Sequence, residues 1–191
     1  MGAKLLNPTL WRTCRVLAGA TRIHLLRHLH AHPGQNLTSL AAALGISLPY
    51  ASQEMRRIQS RGLLQATHRG ASLVYRLRPD PQVATAAPLL KAVQTALDHL
   101  SPQRDGEISV IATGLAHERR IAMARLLLQS PQSNRQMQTA IPMAPRSHYL
   151  HLRSLITGGF AESSNNRLVF RTPPHPLGRA LVRLLRQGVS R

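Results

Sequence analysis

"LAAALGISLPYASQEMRRIQSRGLL", residues 40–64, holds an alanine-rich run, a Gly at 45, a short polar break and a second run that ends in Arg-Gly-Leu-Leu. The pattern predicts two short helices joined by a tight turn, the second running from about Leu48 to Arg61. Ala51, Met55 and Ile58 follow at spacings of four and three, which sets them on one face. Tyr50, Gln53, Arg56 and Arg57 are left outward or at the flanks. Such a helix has an apolar side for a core and a basic, amide-bearing side that suits a nucleic-acid groove.

The composition around it points the same way. The 191 residues carry 25 Lys and Arg against 7 Asp and Glu, a formal charge of +18, which implies a polyanionic partner. Apolar residues make up 43%, ordinary for a folding chain and too many for a disordered basic tail. With one Trp, two Phe and three Tyr there are too few rings for a base-stacking platform on single strands. Cys14 is the only cysteine, so neither an internal disulfide nor a thiolate metal cluster fits. No apolar run reaches the roughly 18 residues of a membrane span. The start, "MGAKLLNPTLWRTCRV", lacks the apolar block and cleavage site of a signal peptide. The expected location is the cytoplasm, in association with the nucleoid.

The chain also repeats itself. "TRIHLLRHLHAHP" (21–33) lies over "RRIAMARLLLQSP" (119–131), with Arg22, Ile23, Arg27, Leu29 and Pro33 each meeting an identical residue 98 positions on. "MRRIQSRGLL" (55–64) lies over "LRSLITGGFA" (152–161) at an offset of 97, pairing Arg56 with Arg153 and Gly62 with Gly159. "LVYRLRPDP" (73–81) then lies over "LVFRTPPHP" (168–176). The gaps fall where loops belong, so a duplicated unit is expected. Its boundary is expected in the loop "SPQRDGE" (101–107), giving domains 1–102 and 103–191.

Within the first unit, Asn7-Pro8 reads as the cap of a first helix. A second helix covers about 20–31, a third begins near Thr38, and the Leu48–Arg61 helix is the fourth. "GLLQATHRGASLVYRLRP" reads as two strands around a His-Arg-Gly-Ala turn. "QVATAAPLLKAVQTALDHL" reads as a last helix in which Pro88 marks a kink or a later start. The expected fold is mainly α with small β-hairpin wings: tandem winged helix-turn-helix domains. The first and last helices of each unit (8–18, 84–100, 107–117 and 176–187) are expected to form the seam of an intrachain pseudo-dimer.

Residues 10–78, through "TRIHLLRHL", "LAAALGIS" and "YRL" in that order, resemble the ArsR-type winged-helix transcription regulators. The second unit resembles them more faintly, through "HERRIAMARLLL" and "HYLHLRSLITGGF". The resemblance implies a DNA-binding repressor or activator that usually works as a homodimer. Two departures stand out. The cysteine pairs and spaced Asp-His patterns with which many such regulators sense metals are missing, and duplication lets one chain imitate the dimer.

In the first unit Gln53 is expected to approach base edges, since its amide suits adenine. Ser47, Tyr50, Ser52 and Arg56 are expected on phosphates or flanking the base contact, and Arg57 suits either role. Arg69 at the wing tip is expected in a minor groove, with Arg76 and Arg78 on the strand meeting phosphates. In the second unit Arg146, Ser147 and Arg153 face outward with Ser154, and Leu150 takes the place of Gln53. His24, His28 and His32, and likewise His148 and His151, read as solvated surface histidines because no third ligand accompanies them. Cys14 reads as a small buried residue. No metal, cofactor or catalytic group is expected, and the chain is not expected to be an enzyme.

The expected function is sequence-specific binding of double-stranded DNA for transcriptional control, as a repressor. The expected state is a monomer acting as a pseudo-dimer, with self-association left open and no membrane partner. Unequal recognition helices predict an asymmetric site with half-sites about one helical turn apart. Two alternatives stand beside it: an architectural protein that coats DNA without preference, and a winged-helix scaffold that binds proteins.

Overall fold

The computed structural model describes residues 10–187. They divide into two compact units, residues 19–106 and residues 107–187 together with 10–18. The elements in chain order are α1 (Leu10–Leu17), α2 (Ala20–Ala31), β1 (Gln35–Asn36), α3 (Leu37–Leu44), α4 (Leu48–Gln59), β2 (Gln65–Arg69), β3 (Ser72–Arg76) and α5 (Ala86–His99). A single 3-10 turn at Pro102–Arg104 leads to α6 (Asp105–Leu115), α7 (Glu118–Gln129), α8 (Asn134–Ala140), α9 (Pro145–Thr157), β4 (Ala161–Ser164), β5 (Arg167–Phe170) and α10 (Pro176–Gln187). The described residues are thus mainly helical with two small antiparallel sheets. The expected cap at Asn7-Pro8 lies outside the described residues.

The first unit is built around α2, α3 and α4. Asn36 caps α3 by accepting from the Ser39 N–H at 2.8 Å. The helix ends where Gly45 takes a left-handed φ of 62°, so that the N–H groups of Gly45 and Ile46 close on the carbonyls of Ala42 and Ala41. A side chain with a Cβ adopts that backbone only under strain, which is why a Gly stands between the two helices. Ser47 then caps α4 and Pro49 sits in its first turn, where no intrahelical N–H is needed. Ala51, Met55 and Ile58 are fully buried, against a core that includes Ile23, Leu26, Leu29 and Leu40. Burial of each of the two larger side chains contributes about 1.5–3 kcal/mol.

A three-stranded sheet in the order β1-β3-β2 closes this unit. β2 and β3 pair from Gln65 with Arg76 to Arg69 with Ser72, leaving Gly70 and Ala71 as the turn. The two residues of β1 pair Gln35 with Tyr75 and Asn36 with Val74. α5 starts at Ala86, which puts Pro88 in the first turn and realises the later start rather than a kink. Its C-terminal end is held by Arg27, which donates to the Leu97 and Leu100 carbonyls and makes a paired contact with Asp105 at 2.6 and 2.7 Å. The segment 101–107 is therefore not the open loop that its Pro, Gly and charge suggest. It is short helical structure, and Asp105 is buried.

The second unit repeats the order from helix to hairpin to helix through α7, α8, α9, β4–β5 and α10. A single bridge between Gln132 and Leu168 stands where β1 stands in the first unit. Asn165 and Asn166, both at positive φ, turn the hairpin. The division differs from the expected 1–102 and 103–191 in two respects: it falls between residues 106 and 107, and α1 belongs with the second unit. Thr13, Cys14, Val16 and Leu17 are buried, and the Trp11 ring lies 6.4 Å from that of His117. The apolar face of a short helix says that it must be covered, and not by which core.

Candidate nucleic-acid interface

The outer face of α4 gathers six of the expected residues. Ser47, Tyr50, Ser52, Gln53, Arg56 and Arg57, with Pro49 and Ser60, line one shallow, open concavity. Gln53 and Arg56 are exposed and Ser52 is half-buried. Ser47 accepts from the Tyr50 N–H at 3.4 Å as the cap of the helix, so its hydroxyl serves the backbone first. Tyr50 is 41% exposed, and its hydroxyl shares a 3.3 Å hydrogen bond with that of Thr21 on α2. The ring is thereby tethered at the edge of the face.

Beneath the face lies a residue that the spacing argument passed over. Glu54 is 1% exposed and accepts from both Arg22 of α2 and Arg57 of α4. The carboxylate sits in the buried stripe with Ala51, Met55 and Ile58, where two guanidiniums compensate its removal from water. It locks α4 onto α2 and holds the Arg57 guanidinium through Nη1, while about half of that side chain still faces solvent. The signal was present in the sequence: position 54 is three after Ala51 and four before Ile58, so it belongs to the buried face.

The cations of the β2–β3 hairpin region are exposed, but not all lie where strand reading put them. Arg69 ends β2 beside the Gly70 turn, and Arg76 ends β3. Arg78 lies two residues beyond the strand rather than on it, because the ladder with β2 stops at the Gln65–Arg76 pair. These three do not line the α4 concavity.

In the second unit Arg146 and Arg153 are exposed on α9 and Ser147 is half-buried. Ser154 turns its hydroxyl back to the Leu150 carbonyl at 2.9 Å and so is not a free outward donor. Leu150 is 50% exposed. Arg135 and Arg167, which sequence reading did not single out, line a separate concavity with Ser133, Gln136, Thr139 and Ala140 of the α8 region.

The histidines of this unit correct the surface reading. His148 is 7% exposed with its Nε2 buried and without a hydrogen-bond partner among the described residues, and burial holds its pKa below the ordinary value. His151 is half-buried with its ring 4.4 Å from that of His117. Burial, then the neighbouring His117, Arg120, Arg119 and His148, push its pKa down to about 4. His117 is lowered by burial and Arg120, and its Nδ1 accepts from the Arg119 N–H at 3.1 Å. In the first unit His30 pairs with Asp98 at 2.6 Å, while His28 packs on His32. Burial raises the Cys14 thiol to about 12, so at neutral pH it is not a thiolate. Among the described residues no group of three or more His, Cys, Asp and Glu is placed to hold a metal ion, and no helix is long and apolar enough to cross a membrane.

Comparison with protein-family models, with curated proteins and with solved structures finds no match to this chain.

Proposed function

We propose that this chain is a sequence-specific double-stranded DNA-binding regulator of transcription, built from two winged helix-turn-helix units, with α4 as its main reader. The observation that carries the reading is the open row on α4, where Gln53 stands between Ser52 and Arg56 on a helix fixed from below by Glu54. An α-helix of this kind fits the major groove, where a Gln amide suits the edge of adenine. The strand β1 pairing with the hairpin, and Arg69 and Arg76 at the ends of its strands, support a wing that meets the backbone beside the groove. The charge of +18 supplies attraction to phosphate. The sequence resemblance of residues 10–78 to ArsR-type regulators agrees with this and favours a repressor acting at DNA in the cytoplasm.

Selection of bound duplexes from a random library tests the reading. The expected result is an enriched, asymmetric motif, because α9 presents Leu150 where α4 presents Gln53. Recovery of unenriched DNA would instead identify a protein that coats DNA without preference, and a perfect inverted repeat would contradict α4 as the main reader.

A further inference from the structure

The outer face of α9 carries a different chemistry from that of α4. Arg146, Tyr149, Leu150, Arg153 and Ile156 follow at spacings of three and four and so share one side of the helix. Tyr149 is 61% exposed, Leu150 50% and Ile156 38%; the first two are the most exposed large apolar side chains among the described residues. Neither Arg146 nor Arg153 is engaged by an acidic group among the described residues. The one acid of the adjoining hairpin, Glu162, is taken by Arg171. The face is therefore an apolar row with two open cations set along it, Arg146 before Tyr149 and Arg153 between Leu150 and Ile156.

Three kinds of occupant can be weighed against that chemistry. A second copy of this chain would set Arg146 and Arg153 against their own images, or against other parts of a surface with few acids. Duplex DNA satisfies the cations, but its base edges reward hydrogen-bonding side chains, and Leu150 and Ile156 offer at most contact with a thymine methyl. An amphipathic helix with apolar residues at i, i+4 and i+7 and flanking Asp or Glu answers both features, burying the row and pairing the guanidiniums. We propose that this face of α9 docks an acidic amphipathic helix of a partner protein, which divides the chain into a DNA-reading unit and a partner-recruiting unit.

The test uses the full chain and a fluorescein-labelled, stapled helical peptide bearing Leu at i, i+4 and i+7 with Glu on the flanks. A peptide with Lys in place of Glu and one with Ser in place of Leu serve as controls. Saturable binding of the Glu–Leu peptide alone is expected, weakened about tenfold or more by Leu150→Ser, the effect of losing one central anchor, and likewise by Arg153→Glu. Both positions are exposed, and circular dichroism checks that each variant keeps its fold. No saturable binding overturns the proposal. Equal binding to Leu150→Ser also overturns it, because general attraction to a basic chain is then sufficient. If Leu150→Ser instead alters the DNA sequence selected, α9 is a second reader and the docking role falls. None of these outcomes depends on whether α4 reads DNA, which the selection by the intact chain decides separately.

Discussion

At the scale of single residues, the proposed interface separates specificity from affinity. Gln53 carries an uncharged amide and is exposed on α4, so Gln53→Ala is expected to reduce discrimination at one base pair by about 1–3 kcal/mol. Arg76→Ala is expected to weaken all duplexes alike, and competition titrations with the preferred and a mutated site distinguish the two effects. Glu54 acts differently, since it never reaches solvent. Glu54→Ala removes the shared acceptor of Arg22 and Arg57 and opens space beneath α4. Breaking a buried pair typically costs about 3–5 kcal/mol, and because Arg57 is half-exposed the expected loss is nearer 2–4 kcal/mol in urea unfolding. The outward residues of α4 were legible because their periodicity separates them from Ala51, Met55 and Ile58. Glu54 was not, although the same periodicity covers it, because an acid in an apolar stripe makes sense only once Arg22 of α2, 32 positions away, is known to meet it.

At the scale of elements, the turns were the most readable part of the chain and the burial of polar groups the least. Gly45 punctuates two helices, and Gly62 and Gly159, paired by the repeat, both adopt left-handed backbone at the exit of their helices, with φ of 69° and 78°. A methyl group at Gly62 would also lie 2.9 Å from Asp80 Cβ and 3.0 Å from Val83. Gly70 has a similar φ of 61° but open space around it. Gly70→Ala is therefore expected to cost only the backbone strain of about 1–2 kcal/mol, and Gly62→Ala distinctly more, as chemical denaturation of the two variants would read. What could not be read was which helix covers which core. The placement of α1 and the enclosure of His148 and His151 both depend on contacts distant in sequence, and isolated histidines look solvated until those contacts exist. The enclosure has a pH consequence. The pKa of His151 is near 4 in the folded chain against an ordinary 6.5, so the unfolded chain takes up the proton first. The stabilisation is complete above about 6.5 and is lost as pH falls towards 4. The shift corresponds to about 3 kcal/mol, which solvent screening of a half-buried ring reduces to roughly 1–2 kcal/mol. Unfolding followed by the fluorescence of Trp11, the one Trp of the chain and a neighbour of His117, is expected to show this loss, and His151→Gln to diminish it.

At the scale of the whole molecule, charge is the property that both units share. Residues 19–106 carry ten Lys and Arg against four Asp and Glu, and residues 10–18 with 107–187 carry thirteen against three. Net attraction to DNA therefore does not single out the reading unit, and only cations that displace counterions at the interface affect the salt dependence of binding. In the proposed arrangement these are Arg56, Arg57, Arg69, Arg76 and Arg78. Five phosphate contacts give a slope of log K against log salt of about −4.5, and about −3.6 if Arg57 stays committed to Glu54. Arg76→Ala is expected to make the slope shallower by about 0.9. Arg153→Ala is expected to leave it unchanged, because the α9 face is assigned to a protein partner. Fluorescence anisotropy at a series of salt concentrations reads both numbers. A slope near zero would remove phosphate contact from the account altogether. An equal fall for Arg153→Ala would show both units on the duplex at once, with their division of labour lost.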